Sequence, residues 1–266
     1  MKSQLLNLSI LVGMTGFVVA CGRQVSQSSD TNEIEKISIG IQGYEFGPAV
    51  NKVILNLKEN ASSLDTSAAK VTTAGVERNI VSSYLSDANG KAIKNGQSSD
   101  YVTIELQVNY NFEDPSKNAS PFNYNLSSLM NEWTKDYQVS VENVTIDGQQ
   151  RLSKKEDTIN NRVSKEVSEF NKRDSYSGIY TNPLTSNKEE LTLNYAAYEP
   201  KNLKNGEKNP LIVWLHGQGE GGTDPDISLL GNEVTALSSQ EIQSYFTSGS
   251  GKETGAYLLA VQTPTY

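Results

Sequence analysis

The chain has 266 residues, enough for one large domain or two ordinary ones, and 36% of them are hydrophobic, so it can bury a core. The 31 acidic residues outnumber the 23 basic ones and give a formal net charge of −8, and no basic cluster with interleaved aromatic residues occurs. This composition excludes nucleic acid as an expected partner.

The N-terminus has the features of an export signal. Lys2 precedes an apolar run, Leu5 to Ala20, that is too short and too interrupted to cross a membrane. The run ends in Val18-Val19-Ala20-Cys21, which resembles a bacterial lipobox, and Cys21 is the only cysteine. The resemblance implies that residues 1–20 are removed and that Cys21 carries a lipid anchor on the extracellular face of the bacterial cell membrane. An ordinary signal peptide with an incidental cysteine is the alternative.

Residues 21–147 predict a tether followed by an all-β unit. Residues 21–33 are polar and Ser-rich, which is typical of a flexible linker. From residue 34 to residue 147, short strand-like stretches are separated by turn signals. In one of them Val102, Ile104 and Leu106 alternate with polar residues, a period of two that directs one face of a strand inward. Several such strands predict an immunoglobulin-like β-sandwich for residues 34–147.

Residues 148–175 are dense in charge and predict a linker that contains one amphipathic helix. Ile159, Val163, Val167 and Phe170 have the spacing of one helical face. We therefore expect this segment to connect the sandwich to a separate C-terminal unit, residues 176–266.

The C-terminal unit has the pattern of strand, helix and strand. Pro210 to Leu215 is a continuous apolar run, which predicts a strand buried on both faces. Ser238 and Glu241 have capping-box spacing before a helix, and Ala256 to Val261 is a second apolar strand. This order predicts a βαβ unit of an open, mostly parallel sheet.

A glycine-rich segment, His216-Gly217-Gln218-Gly219-Glu220-Gly221-Gly222, directly follows the first of these strands. It resembles the HG-x-G loop of α/β-hydrolases, in particular secreted esterases and their prolyl-oligopeptidase-like relatives. The resemblance implies that the backbone at Gly217, Gln218 and Gly219 stabilises a developing oxyanion, and that His216 orients the loop and is not the catalytic base.

The order of the two units adds to this resemblance, because an Ig-like domain before a hydrolase start is similar to bacterial esterases with an Ig-like N-terminal domain. The similarity covers residues 34–266, with its specific motifs in residues 191–262. The implied fold is an all-β Ig-like sandwich followed by the N-terminal part of an α/β-hydrolase domain. The implied chemistry is cleavage of a small ester or an acylated polysaccharide by acyl transfer to a serine, without a metal or other cofactor.

The catalytic groups of such an enzyme are absent from the chain as printed. No Gly-x-Ser-x-Gly occurs and His216 is the only histidine, so neither a nucleophile elbow nor a general base is present. Residues 176–266 are also too few for a doubly wound hydrolase domain. We expect the front portion of a longer esterase, inactive by itself, with apolar strands that lack neighbours and favour aggregation.

Several alternatives stay open from the sequence. Gly217-x-Gly219-x-x-Gly222 also fits a dinucleotide-binding fingerprint, although Pro225 interrupts the helix that this fingerprint needs. A glycine turn without chemistry is possible, and Glu220 and Asp224 fit solvated or capping carboxylates better than a catalytic pair. We expect Trp133 and the tyrosines to fill the sandwich core and its rim. An exposed aromatic row would instead bind sugar chains, so a surface lipoprotein that binds a partner through the Ig-like domain is the alternative function.

Overall fold

A computed structural model describes residues 33–182, 184–201, 203, 205–251 and 254–265. These residues belong to one compact unit, Asn32 to Tyr266. The predicted signal peptide, Cys21 and nearly all of the tether lie outside the described residues. Within the described part, no helix is both long and apolar enough to span a membrane. The structure is mostly β-strand with few helices.

The described residues form strands β1 to β16 and helices α1 to α3. In chain order the elements are β1 (Ile34–Tyr44), β2 (Gly47–Ala61), β3 (Leu64–Asp65), β4 (Lys70–Thr73), β5 (Val76–Arg78), β6 (Ile80–Ser86), β7 (Ser99–Leu106), β8 (Phe122–Asn125), β9 (Met130–Trp133), β10 (Val139–Ile146), β11 (Gln150–Glu156), β12 (Arg162–Val163), α1 (Lys165–Ser168), β13 (Lys172–Thr181), β14 (Lys188–Tyr198), β15 (Leu211–Leu215), α2 (Pro225–Leu230), α3 (Gln240–Gln243) and β16 (Tyr257–Gln262). Two short 3-10 helices, Pro115–Asn118 and Val234–Ser238, complete the set.

Two sheets form the first half of the unit. One has the order β12-β1-β2-β7-β6, and the other has the order β11-β10-β4-β5 with β3 also paired to β10. Buried side chains of both sheets, such as Leu55 and Ile104 from the first and Val139 and Val141 from the second, belong to one hydrophobic core. This arrangement is consistent with the predicted Ig-like β domain.

Strand β7 confirms the predicted alternation only in part. Val102, Ile104 and Leu106 are buried as expected. Thr103 was predicted to face solvent, but it is fully buried, because the turn at Gly90 packs over this face of the sheet, where a Cβ on Gly90 would lie only 3.3 Å from Thr103 Oγ1. Its Oγ1 donates a hydrogen bond to Ser86 Oγ at 2.8 Å, which satisfies the hydroxyl without water.

Residues 148–175 differ from the predicted linker with an amphipathic helix. The segment contains β11, which pairs with β10, and β12, which pairs in parallel with β1, while α1 has only four residues. Ile159, Val167 and Phe170 are buried in the same core as the sandwich. An irregular chain can bury side chains at this spacing as well as a helix can, so the spacing did not establish a helix.

The C-terminal sheet has the order β13-β14-β16-β15. Strands β15 and β16 are parallel and are connected through α2 and α3, as the predicted strand-helix-strand unit requires. The prediction of a mostly parallel sheet is wrong for these residues, since β14 runs antiparallel to both β13 and β16. A short connection between β13 and β14 allows only an antiparallel hairpin.

One face of this sheet packs on the rest of the unit. Ala196, Leu258 and Ala260 are buried there, together with the α2 side chains Leu229 and Leu230. The prediction that β15 is buried on both faces is wrong for the described residues. Leu211, Val213 and Leu215 alternate with partly buried neighbours and are exposed, because α2 covers only the opposite face.

The exposed residues of β15 continue into a larger apolar surface, which we call the open face. Strand register places Leu211 beside Tyr257, Val213 beside Leu259 and Leu215 beside Val261. The register of β14 with β16 adds two more positions on the same side. The open face therefore consists of Tyr195, Ala197, Leu211, Val213, Leu215, Tyr257, Leu259 and Val261. An exposed apolar surface of this kind favours association with another surface.

Substitutions of two leucines, on opposite faces of the C-terminal sheet, test whether one face is buried and the open face is exposed. Leu258 is 3% exposed, and we expect Leu258→Ala to lower the free energy of unfolding by about 2–5 kcal/mol, since it leaves a cavity. Leu215 is 75% exposed, so Leu215→Ala should change it by less than about 0.5 kcal/mol. Urea unfolding followed by circular dichroism measures both values. Equal losses would mean that the open face is covered in solution.

Candidate functional site

The glycine-rich loop, residues 216–224, lies where the parallel strands β15 and β16 end. Leu215 and Val261 are register partners at this edge, and the loop leads directly from β15 into α2. Helix α2 begins at Pro225, three residues after Gly222, and not at the glycines. Crevices at the carboxyl ends of parallel strands are frequent ligand sites in α/β sheets, so this edge is the candidate site.

His216 connects the loop to the residue that follows β16. Its Nε2 accepts the Thr263 N–H at 3.0 Å, and its Nδ1 lies 2.8 Å from the carbonyl oxygen of Gly217. A neutral imidazole with its proton on Nδ1 makes both bonds. The N–H of Gly222 also donates to the carbonyl of Thr263, at 2.8 Å. Both ring nitrogens of His216 are therefore occupied in fixing the loop.

Glu220 is the buried ionisable group of the loop. It is 4% exposed, whereas the sequence predicted a solvated or capping carboxylate. Oε2 accepts the Gly217 N–H at 2.9 Å, and Oε1 accepts from Asn232 Nδ2 at 2.8 Å. Burial raises the pKa of Glu220, and the hydrogen bonds from Gly217 and Asn232 oppose this rise. A Cβ on Gly231 would collide with the carboxylate, so glycine is required there.

Gln262, the last residue of β16, holds the loop from the inside of the unit. Its side chain is fully buried, and Nε2 donates to the carbonyl oxygens of Glu220 and Asp224, at 3.0 Å each. Both carbonyls belong to the part of the loop that leads to α2. One amide group therefore satisfies two buried acceptors and fixes their positions.

The backbone N–H groups predicted for an oxyanion hole differ in availability. The N–H of Gly217 is used by Glu220 Oε2. No described residue accepts a hydrogen bond from the N–H of Gln218 or Gly219. Gln218 is exposed at the tip of the loop, and Gly219 has a φ of 91°, a conformation that favours glycine. Both N–H groups are therefore without an acceptor among the described residues, that of Gln218 on an exposed residue and that of Gly219 on a buried one.

The hairpin of β8 and β9, from the sandwich half of the chain, packs directly on the loop. The N–H of Asn131 donates to the carbonyl of Gly219 at 2.7 Å. The Asn131 amide and the Tyr124 ring lie 3.2 Å and 3.3 Å from the place that a Cβ on Gly219 would take. A larger residue at Gly219 would therefore be strained at this positive φ and would push the Asn131 and Tyr124 side chains slightly away.

Trp133 of the same hairpin makes a second contact with the loop. Its Nε1 donates to Asp224 Oδ2 at 2.7 Å, while Asp224 Oδ1 caps α2 by accepting the Asp226 N–H at 3.1 Å. Asp224 is thus a capping residue, as its position in the sequence suggested. The guanidinium of Arg162 lies 4.0 Å from the centre of the Trp133 ring, in a cation–π contact. Trp133 was expected to fill the core, and its role at the loop was missed.

The described residues offer no alternative metal chemistry, since no group of three or more His, Cys, Asp and Glu side chains among them could hold a metal ion. The Asp224 carboxylate accepts hydrogen bonds from the Asp226 N–H and from Trp133 Nε1. The Glu220 carboxylate accepts from the Gly217 N–H and from Asn232 Nδ2. Glu220 and Asp224 therefore act separately as structural acceptors and do not form a catalytic pair.

Matched substitutions at two tryptophans distinguish the effect of losing the Trp133 hydrogen bond from the effect of losing ring volume. Trp133→Phe removes the bond to Asp224, and we expect it to cost about 1–3 kcal/mol in free energy of unfolding because the acceptor is charged. Trp214→Phe is the matched control, since Trp214 Nε1 is buried without an acceptor among the described residues. Chemical denaturation should give a larger loss for Trp133→Phe. Equal losses of unfolding free energy in the two variants would mean that the bond to Asp224 does not stabilise the fold.

The raised pKa of Glu220 predicts a pH-dependent stability. The folded state holds this proton more tightly than the unfolded chain, so the associated stability is present below the ordinary pKa of 4.5 and is lost as the pH rises through the folded value. Glu220→Gln stays neutral, and its free energy of unfolding relative to wild type should rise between about pH 4 and about pH 7. Urea unfolding at both pH values measures this. The change Glu241→Gln, at an exposed carboxylate, controls for the lost charge.

Comparisons with known proteins relate this arrangement to esterases. Residues 36–161 match the family model described as "Esterase Ig-like N-terminal domain". The matched segment extends past the predicted domain boundary at residue 147 and includes β11. None of the curated proteins compared matches the sequence.

A similar solved structure is described as "Crystal Structure of a Thermostable Esterase". The TM-score is 0.57 at 17% sequence identity, over 87% of this chain and 58% of the other. At this identity the likeness concerns the fold alone, and the present chain spans 58% of the length of that esterase. Residues 36–161 are therefore similar to the Ig-like N-terminal domain of esterases, and the fold of the chain is similar to that of a solved esterase.

Proposed function

We propose that the chain is an exported, lipid-anchored, esterase-like hydrolase of the α/β-hydrolase type. Its chemistry is the cleavage of carboxylic esters by acyl transfer to a serine, on a small ester or an acylated polysaccharide. The glycine-rich loop supplies the oxyanion donors. The nucleophile and the base lie outside these 266 residues, so the chain alone does not turn over substrate.

The observation that carries this proposal is the free N–H of Gln218. It lies at the tip of a loop whose backbone is held by several hydrogen bonds. In α/β-hydrolases one oxyanion donor comes from the loop between the third strand and the following helix. Here β15 is the third strand, in chain order, of the C-terminal sheet, and the loop leads from it into α2. The family match of residues 36–161 gives independent support.

The contacts around the loop suit it to this role. Glu220, His216 and the Asn131 N–H hold three different backbone groups of the loop. A donor held in place before the reaction stabilises a developing oxyanion without the cost of reorganisation, and one such donor contributes about 10²–10³-fold in rate. The N–H of Gln218, and that of Gly219 beside it, would thus be directed at the tetrahedral intermediate.

The proposal of inactivity rests on His216 and on the missing serine motif. A serine nucleophile needs an imidazole with one nitrogen free to take its proton. Both nitrogens of His216, the only histidine, are engaged with Thr263 and Gly217. The lipid anchor at Cys21 and the location on the extracellular face of the cell membrane rest on the N-terminal sequence alone.

Hydrolysis of p-nitrophenyl acetate by the purified 266-residue chain tests the proposal. We expect no release of p-nitrophenol above the uncatalysed background. A serine-directed phosphonate, added before the substrate, should change nothing. Hydrolysis that the phosphonate abolishes would contradict the absence of a serine nucleophile and base.

The source DNA beyond the codon for Tyr266 tests where the missing groups lie. We expect a Gly-x-Ser-x-Gly segment and a later histidine in one of the three frames, and the product that contains them should hydrolyse the same ester. A stop codon followed by unrelated sequence would contradict this part of the proposal. It would favour the alternative, a surface lipoprotein that binds a partner through its Ig-like half.

A further inference from the structure

A row of four aromatic rings lies on the surface of the sandwich. Tyr44 and Phe46, at the turn between β1 and β2, stack with ring centres 5.2 Å apart. Phe46 contacts Tyr110 at 4.6 Å, and Tyr110 contacts Phe112 at the same distance. Phe112 is 80% exposed. The other three rings are half-buried, so the row forms a contiguous apolar patch at the surface, and such patches mark binding sites in many proteins.

The mutual contacts of these rings matter for binding. A ring that packs against its neighbours has already lost much of its rotational freedom. A ligand that contacts the row therefore does not have to immobilise each side chain, which costs about 0.5–1.5 kcal/mol for a mobile one. The aromatic row is thus a preorganised apolar surface.

A cleft of about 470 Å³ opens beside the row. Phe46, Tyr110 and Tyr124 contribute rings to its lining, and Asn109, Asn123 and Asn131 contribute side-chain amides. None of the three amides makes a hydrogen bond with a residue that the structure describes. The cleft therefore combines apolar ring surface with free neutral donors and acceptors.

The cleft offers no free charge to a ligand. Among the described residues that line it, Arg78 is the only charged one. The guanidinium of Arg78 is already engaged, since it donates to the carbonyls of Val50 and Gln107 at 3.0 Å each and to Thr73 Oγ1 at 2.9 Å. An anionic ligand would find no partner here, whereas a neutral ligand with many hydroxyl groups would find the amides.

The position of the cleft relates it to the candidate site. Tyr124 and Asn131, which line the cleft, are also the residues that pack on Gly219 of the glycine-rich loop. One wall of the cleft is therefore also in contact with Gly219, the residue that follows Gln218. A chain-like ligand that left the cleft past Tyr124 and Asn131 would reach this loop.

We propose that this cleft binds a neutral polysaccharide chain. Sugar rings present apolar C–H faces, which pack on the rings of Tyr110 and Tyr124, and hydroxyl groups, which bond to the asparagine amides. The delivery of an acyl group on that chain to the glycine-rich loop rests on the function proposed above, whereas the binding of the chain does not. The site thereby selects acylated polysaccharides over small esters.

Calorimetric titration of the full 266-residue chain tests this proposal. The probes are acetylated xylo-oligosaccharides and the same oligosaccharides after alkaline removal of the acetyl groups. We expect both to bind, because the cleft recognises the sugar chain. Tyr110→Ala and Tyr124→Ala should each weaken binding about tenfold, which corresponds to about 1.4 kcal/mol. Tyr176→Ala, at an exposed tyrosine of β13 outside the cleft, is the matched control and should bind like wild type.

Circular dichroism melts of all variants show whether each is folded. The proposal is overturned if neither probe binds the wild-type chain, or if folded Tyr110→Ala and Tyr124→Ala bind both probes as wild type does. Release of acetate, measured in the same samples, reports separately on hydrolysis. Phosphonate-sensitive acetate release without these tyrosine effects would overturn the sugar-binding cleft and leave an esterase. Binding without acetate release supports the proposal that the cleft binds the sugar chain.

Discussion

The contact between the β8–β9 hairpin and the glycine-rich loop joins the two halves of this protein. Asn131 donates its N–H to Gly219, and Trp133 donates its indole N–H to the carboxylate that caps α2. Both bonds satisfy polar groups of a loop that leaves its strand abruptly and would otherwise need water. The sandwich thus acts as a wall of the candidate site, and the loop adopts one conformation because residues about ninety positions earlier in the chain complete its hydrogen bonds.

The loop also depends on a buried carboxylate. Removing Glu220 from water is unfavourable for its charged form, and the two hydrogen bonds from Gly217 and Asn232 offset only part of this cost. Gly231 leaves the space for the carboxylate, and Gln262 satisfies the carbonyl of Glu220. A loop held by this many buried polar contacts is rigid. This is the property that backbone donors need if they are to act on a developing negative charge.

Local sequence patterns predicted where strands form, but they did not predict which faces of those strands other parts of the protein cover. The alternation of Val102, Ile104 and Leu106 correctly predicted the inward face of β7, but the burial of Thr103 depends on the turn at Gly90, which packs over the other face. The apolar run of β15 correctly predicted a strand and wrongly predicted that both of its faces are buried, because coverage of each face depends on where other elements pack. The spacing of Phe170 and the apolar residues before it correctly predicted that they are buried. It wrongly predicted a helix, since a core accepts side chains from any backbone that reaches it.

The sequence by itself determined the strand-rich first half, the strand-helix-strand order of the C-terminal unit and the resemblance of the glycine-rich loop to that of hydrolases. These features depend on residues that are close together in the chain. Only the tertiary structure decided that Glu220 is buried, that both nitrogens of His216 are occupied, and that the hairpin of Tyr124 and Asn131 forms a wall of the site. Each of these contacts joins residues whose proximity is created by folding, and local sequence carries no signal for such pairs.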